Sequence, residues 1–301
     1  MAGLKELRGR IATVKSTEKI TSAMKMVAAS RLRRAQDVLQ KNVTYRDSLY
    51  QAISRIIKRL RILEVEEKKT LKPHPLCVGK PENKRWLLVV LTSDKGLCGS
   101  YNSAIGKAAT ARIEQLKAEG KEVKIITLGY RGYNMLKRYY QDLIERQAES
   151  VVNRGVDYNE AKDLADELKA MFSGDQIDGC EIVYSKFKSA LSREIVSEQV
   201  LPFDLQKIEV EVEDPKDGGY RVEPGDYVLL DELVPLAFSE FVFDILINSQ
   251  ASEQGARMTS MDNATRNAGD MIARLTLRYN RLRQGAITTE LTEIIAGAEA
   301  V

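Results

Sequence analysis

Between residues 10 and 72 the chain runs 63 positions without a glycine or a proline. So long a stretch with no helix breaker predicts a single very long α-helix. Its apolar residues agree: Leu4, Leu7, Ile11 and Val14, then Met24, Ala28, Leu32, Ala35 and Leu39, recur in steps of three and four, which lines up one face of a helix. Near the other end the same rhythm returns as Met261, Ala264, Ala268, Met271, Leu275, Tyr279 and Leu282. Globular helices average about 11–12 residues, so both segments are outliers. The first helix is predicted over residues 4–69. The last is predicted to begin within 229–235, with Pro235 in its first turn, and to run to 296 with Gly255, Gly269 and Gly285 inside it. Each interior glycine costs about 1 kcal/mol against alanine, a cost that close approach of a neighbouring backbone would offset.

A helix of about 60 residues rises about 90 Å and cannot bury its stripe against a small domain alone. The comparable stripe in this chain is the terminal one, so the simplest pairing is an antiparallel coiled coil projecting from a globular middle. The predicted divisions are residues 1–72, first helix of the shaft; 73–228, a globular α/β domain; and 229–301, second helix of the shaft. The seam falters at residues 248–254 (NSQASEQ), where either the pair splays or a partner contacts it.

In the middle, residues 85–92 (RWLLVVLT) form a nearly continuous apolar run, as expected of a buried parallel strand. Helix is predicted over 102–117, strand over 123–128, helix over 133–140 and 161–172, and further strands over 180–184 and 195–201. Alternating strand and helix points to a doubly wound, Rossmann-like sheet. Residues 205–212 alternate apolar and charged, which suggests an edge strand, and the Gly-, Pro- and acid-rich 214–226 suggests an exposed loop.

Charge is uneven along the chain. Residues 1–41 hold ten Lys or Arg against Glu6, Glu18 and Asp37, an arm suited to nucleic acid, anionic lipid or an acidic protein surface, or simply a solvated helix face. Residues 257–283 carry six arginines against Asp262 and Asp270. Cys77, Cys98 and Cys180 are too far apart for a disulfide framework or a zinc site, and they suit a reducing compartment. The single His74, between two prolines, leaves a histidine-based triad or metal site without material. No apolar run approaches the roughly 18–20 residues of a membrane span, so any membrane association is expected through partners.

The turn at residues 93–100 (SDKGLCGS) lies between a strand and a helix, where nucleotide-binding folds place a phosphate cradle. It lacks the order of a P-loop and the three glycines of a dinucleotide site. Capping of the next helix by Ser100 or Asn102 is the simpler reading. Met24, Met26, Met258, Met261 and Met271, at helical spacing, read as core.

Four segments in order, residues 19–34 (KITSAMKMVAASRLRR), 92–101 (TSDKGLCGSY), 251–258 (ASEQGARM) and 279–295 (YNRLRQGAITTELTEII), closely resemble the gamma subunit family of F-type ATP synthases. The resemblance is tightest at both termini and in the central turn, and looser over 40–85 and 140–230. It implies a central rotor stalk without a catalytic, cofactor or metal site of its own. The paired terminal helices would stand inside a hexamer of alpha and beta subunits, with the α/β domain near the epsilon subunit and the membrane-embedded c-ring.

By the same resemblance, Met24 matches a shaft position facing the acidic lever loop of beta. Arg257, Arg283 and Gln284 match polar contacts of the shaft with beta, and Thr288 and Glu290 match the upper bearing segment. The chain departs from the chloroplast members, whose regulatory insertion carries a close cysteine pair. Its start almost directly on the family motif resembles bacterial members, with a peripheral place on the cytoplasmic face of the plasma membrane, although an already trimmed mitochondrial chain, on the mitochondrial inner membrane, would start in a similar way. Two other classes stay open at this point. A nucleotide-using enzyme predicts ATP or NAD binding by residues 80–215, and a basic coiled-coil protein for nucleic acid predicts DNA affinity that falls steeply with salt.

Overall fold

The computed structural model describes residues 2–67, 73–150, 155–212 and 225–299. In chain order the main elements are α1 (Ala2–Glu67), β1 (Arg85–Leu91), α2 (Tyr101–Ala118), β2 (Glu122–Leu128), α3 (Tyr130–Tyr140), β3 (Ile144–Ala148), α4 (Tyr158–Ser173), β4 (Gly179–Phe187), β5 (Arg193–Leu201) and α5 (Asp226–Glu299). Contacts divide the chain into two units, Met1–Ser30 with Arg257–Val301, and Arg31–Ala256.

The larger unit is built on a five-stranded sheet of order β3-β2-β1-β4-β5. β1 pairs in parallel with β2 and β4, and β2 in parallel with β3. Successive side chains of β1 point to opposite faces. Leu87, Val89 and Leu91 join a core with α1, α4 and α5, while Trp86, Leu88 and Val90 join a second core with α2 and α3. Helices therefore cover both faces, which is why the strand reads as unbroken apolar sequence.

Several expectations are corrected. β3, with the sequence IERQA and mostly exposed, was not foreseen, because an edge strand wetted on both sides needs no apolar pattern. β5 runs antiparallel to β4, so the doubly wound sheet ends in a hairpin. Residues 205–212 do not form an edge strand: a 3₁₀ turn at Leu205–Lys207 leads into chain that lies along α1. There Arg61 grips Glu209 with two bonds of 2.6 and 3.0 Å, and the Val210 amide donates to Ser54 Oγ at 2.9 Å. Most of the predicted loop at 214–226 lies outside the described residues, as does the predicted end of the first helix at 68–69. α5 starts at Asp226, which places Pro235 inside the helix, without the amide that would bond the carbonyl of Asp231.

The polar stretch 248–254 neither splays nor waits for a partner. Ser249, Ser252, Glu253 and Gln254 are buried at 0–2% exposure because α5 packs there on the globular part of its own unit. Tyr101 and Ser249 hydroxyls meet at 2.8 Å, and Ser185 and Ser252 hydroxyls at 2.6 Å. Gly255 admits the β4–β5 hairpin closely: a Cβ there would lie 3.4 Å from the Ala190 carbonyl oxygen. Gly285 has no such neighbour within 4 Å.

Candidate interaction surface

In the larger unit, the turn that tempts a phosphate reading is filled by the protein itself. The Asp94 carboxylate accepts from the Tyr130 amide at 2.8 Å and from the Ser150 amide at 3.1 Å. A carboxylate therefore sits at the N-terminus of α3, where the helix dipole favours an anion. Thr92 Oγ1 accepts from the Gly132 amide at 2.8 Å. A Cβ on Gly129, whose φ is +114°, would lie 2.2 Å from the Thr92 carbonyl oxygen, so only glycine fits. Ser100 occupies the N-cap position of α2, but neither its side chain nor that of Asn102 caps the helix. Ser100 makes no side-chain cap bond and accepts from Arg193 Nη2 at 2.9 Å. Asn102 Oδ1 accepts from the Ser93 amide at 3.0 Å. The motif ties the ends of β1, β2 and β3 together.

In the smaller unit, α1 and α5 lie antiparallel. Thr21 and Thr265 hydroxyls are 2.8 Å apart, Lys25 Nζ meets Asp262 Oδ1 at 2.5 Å, and a Cβ on Gly269 would approach Glu18 Oε1 at 3.5 Å. Leu7, Ala28, Met261 and Ala268 are buried along the seam. Continuing the three-four stepping of α1 from Val14 lands on Glu18, Thr21, Lys25 and Ala28. The seam therefore turns polar for two helical turns, a feature the search for an apolar stripe passed over. The hydrogen bond from Lys25, opposed by desolvation and aided by Arg266, holds the Asp262 carboxyl below its ordinary value.

Met24 is half-buried on the flank of this polar seam, one residue from the Lys25–Asp262 pair. Met26 is 67% exposed and Met271 49% exposed, so the methionines are not uniformly core as expected. Arg257 is half-buried, while Arg283, Gln284, Thr288 and Glu290 are exposed. Thr288 Oγ1 bonds back to the Gln284 carbonyl at 2.9 Å, a local bond that leaves the segment's outer face unused. In the observed register Ala2 comes level with about Gly285. Beyond it Ile287, Leu291, Ile294 and Ile295 stand 51–71% exposed on helix without α1 beside it.

This unit carries twelve Lys or Arg against seven Asp or Glu, set around exposed apolar side chains. Exposed apolar patches rimmed by charge mark protein contacts, and among the described residues no cluster suited to a metal exists. No described helix is long and apolar enough to cross a membrane. Such a surface is suited to contact with other proteins.

Comparisons with known proteins agree in kind. A family model described as ATP synthase matches residues 3–301. The chain is 42% identical to the ATP synthase gamma chain of Paramagnetospirillum magneticum over 100% of both chains, and 42% identical to that of Paracoccus denitrificans, again over 100% of both. Its fold resembles a chain of the central stalk and c-ring structure of the Tetrahymena thermophila mitochondrial ATP synthase. The TM-score is 0.54 at 26% identity, covering 81% of this chain and 99% of that one. With the whole length matched by family model and relatives alike, the chain belongs to the ATP synthase gamma chain family.

Proposed function

We propose that this chain is the central rotor stalk subunit of an F-type ATP synthase, carrying torque between a proton-driven c-ring and a catalytic hexamer of alpha and beta subunits. The observation that carries the reading is full-length identity of 42% to ATP synthase gamma chains, joined to a helix pair whose outer surface is basic and apolar. The chain itself is non-catalytic. An asymmetric shaft acts by favouring a different conformation of each catalytic site at each orientation, so rotation becomes a shift of populations at sites on other chains. Stiffness and surface chemistry are what that task needs.

Within this reading, residues 1–72 and 229–301 are the shaft and residues 73–228 the domain that meets the epsilon subunit and the c-ring. Met24 faces the acidic lever loop of beta. Arg257, Arg283 and Gln284 supply polar contacts to beta, and Thr288 and Glu290 belong to the bearing at the far end, where Ile287 and Leu291 offer exposed apolar surface. The complex sits peripherally on the cytoplasmic face of a bacterial plasma membrane. Bacterial relatives at 42% identity over full length support that placement.

The test is reconstitution. Purified alpha and beta subunits mixed with this chain should form a stable complex whose ATP hydrolysis exceeds that of each component alone. Absence of a complex, with ATP, NAD or DNA bound by the chain on its own, would overturn the reading.

A further inference from the structure

Where α1, α4 and α5 meet in the larger unit, a carboxyl group lies buried that the rotor reading does not use. Glu240 is 0% exposed. Its Oε1 accepts from Asn42 Nδ2 of α1 at 2.5 Å, while Oε2 is buried with no hydrogen-bond partner among the described residues. A second orphan lies on α4: the Tyr158 hydroxyl is buried with no hydrogen-bond partner among the described residues, and its ring meets Phe243, one turn along α5 from Glu240, edge-on at 5.4 Å. Two unmet polar groups in one helix junction are uncommon and costly.

The other ionisable neighbours come from every element packed there. α1 supplies Tyr45, Arg46 and Tyr50, α4 supplies Asp166 behind Tyr158, and α5 supplies Asp244. From the sheet, Lys186 and Glu198 act on Asp244. Arg46 leans toward Asp244, 3.3 Å away, and so neutralises Glu240 only in part. Burial raises the Glu240 carboxyl from 4.5 to about 7; the Asn42 bond opposes this and Asp244 adds to it. A surface groove lined by Gln40, Val43, Arg46, Lys186, Asp244 and Asn248 opens beside the junction, at Asp244 one turn from Glu240.

We propose that Glu240 is a proton-operated latch between α1 and α5. Protonated, Glu240 brings no charge into the junction and keeps its bond from Asn42 across α1 and α5, and the junction holds. Ionised, the site buries a charge with one hydrogen bond, a turn from Asp244, and the junction loosens. The folded chain binds this proton more tightly than the unfolded one. The latch therefore contributes fully below pH 4.5, the ordinary value, and its contribution is lost as pH rises toward about 7. This holds whether or not the chain turns in a motor.

The experiment compares the full wild-type chain with E240Q, an isostere of the protonated form, in urea followed by Trp86 fluorescence. The ratio of their unfolding constants should rise about thirty-fold between about pH 5.5 and about pH 8.5. Amides of residues 39–50 and 237–248 should exchange faster above neutrality in wild type, beyond ordinary base catalysis, and not in E240Q. A ratio constant within about twofold overturns the latch. If E240Q fails to fold, carbon NMR of labelled glutamates in wild type decides: one carboxyl titrating near neutrality supports the latch, and all titrating near 4.5 refutes it.

Discussion

Ser252 lies in the polar stretch that was expected to break the helix seam, and its contact with Ser185 can be measured. The two hydroxyls are 2.6 Å apart at 2% and 0% exposure. Ser252→Ala leaves the Ser185 hydroxyl buried without that partner, at a cost of about 1–3 kcal/mol. Alanine's better helix propensity returns about 0.5 kcal/mol, so a net loss of about 1–2 kcal/mol is expected. Ser185→Ala should cost less, about 0.5–1 kcal/mol, because a helical serine can turn to the carbonyl four residues back, that of Asn248. The double variant orphans nothing, so its loss should fall short of the sum by about 1 kcal/mol. The assay is urea unfolding followed through the one tryptophan of the chain, Trp86, which is 7% exposed in β1 of the same unit. Losses that add within about 0.3 kcal/mol would refute a buried hydroxyl pair clamping α5 to the sheet.

Asp178 should matter at the other end of the sheet. Its carboxylate accepts from the Lys84 and Arg85 amides at 2.9 and 2.8 Å, so Asp178→Ala should cost about 1–3 kcal/mol for each amide left unmet, read as a lower urea midpoint at neutral pH. The Arg85 hydrogen bond, opposed by burial and aided by both amides, holds this carboxyl far below its ordinary 3.8. Its contribution is therefore present above pH 3.8 and lost as pH falls below it, and the gap between wild type and variant should narrow in acid. Met24→Lys sets a positive charge beside Lys25 and, on the proposed contact, beside an acidic partner loop; the complex should assemble while coupled proton pumping falls, and unchanged coupling would remove Met24 from that proposed contact. Deletion of residues 296–301 should reduce coupled ATP synthesis less than deletion from Arg283 onward, and equal effects would remove residues 283–295 from the proposed bearing.

Both long helices were legible because they lack breakers and keep a three-four stripe, and β1 was legible because both its faces are buried. β3 escaped because its residues IERQA lie exposed at an edge, where burial imposes no pattern. Residues 248–254 misled for the opposite reason: serine and glutamine look like surface, yet here Gln254 is buried, and Ser249 and Ser252 pair with Tyr101 and Ser185 inside the unit. The polar seam at Thr21 and Lys25 kept the spacing of the stripe but not its chemistry, so a count of apolar residues passed it by. The proposed contact residues Met24, Arg257, Arg283, Gln284, Thr288 and Glu290 came from resemblance alone. No local geometry distinguishes an exposed arginine that will meet a partner from one that meets water.

Rotation is the most direct test of the central claim. Leu191, 81% exposed on the β4–β5 hairpin, can be changed by Leu191→Cys and biotinylated, with Cys77→Ser removing the partly exposed native thiol. A bead on that cysteine, with alpha and beta subunits fixed to glass, should turn in one direction when ATP is added and stop when ATP is withdrawn. ATP hydrolysis by the fixed complex with the bead stationary or merely jittering would contradict the account.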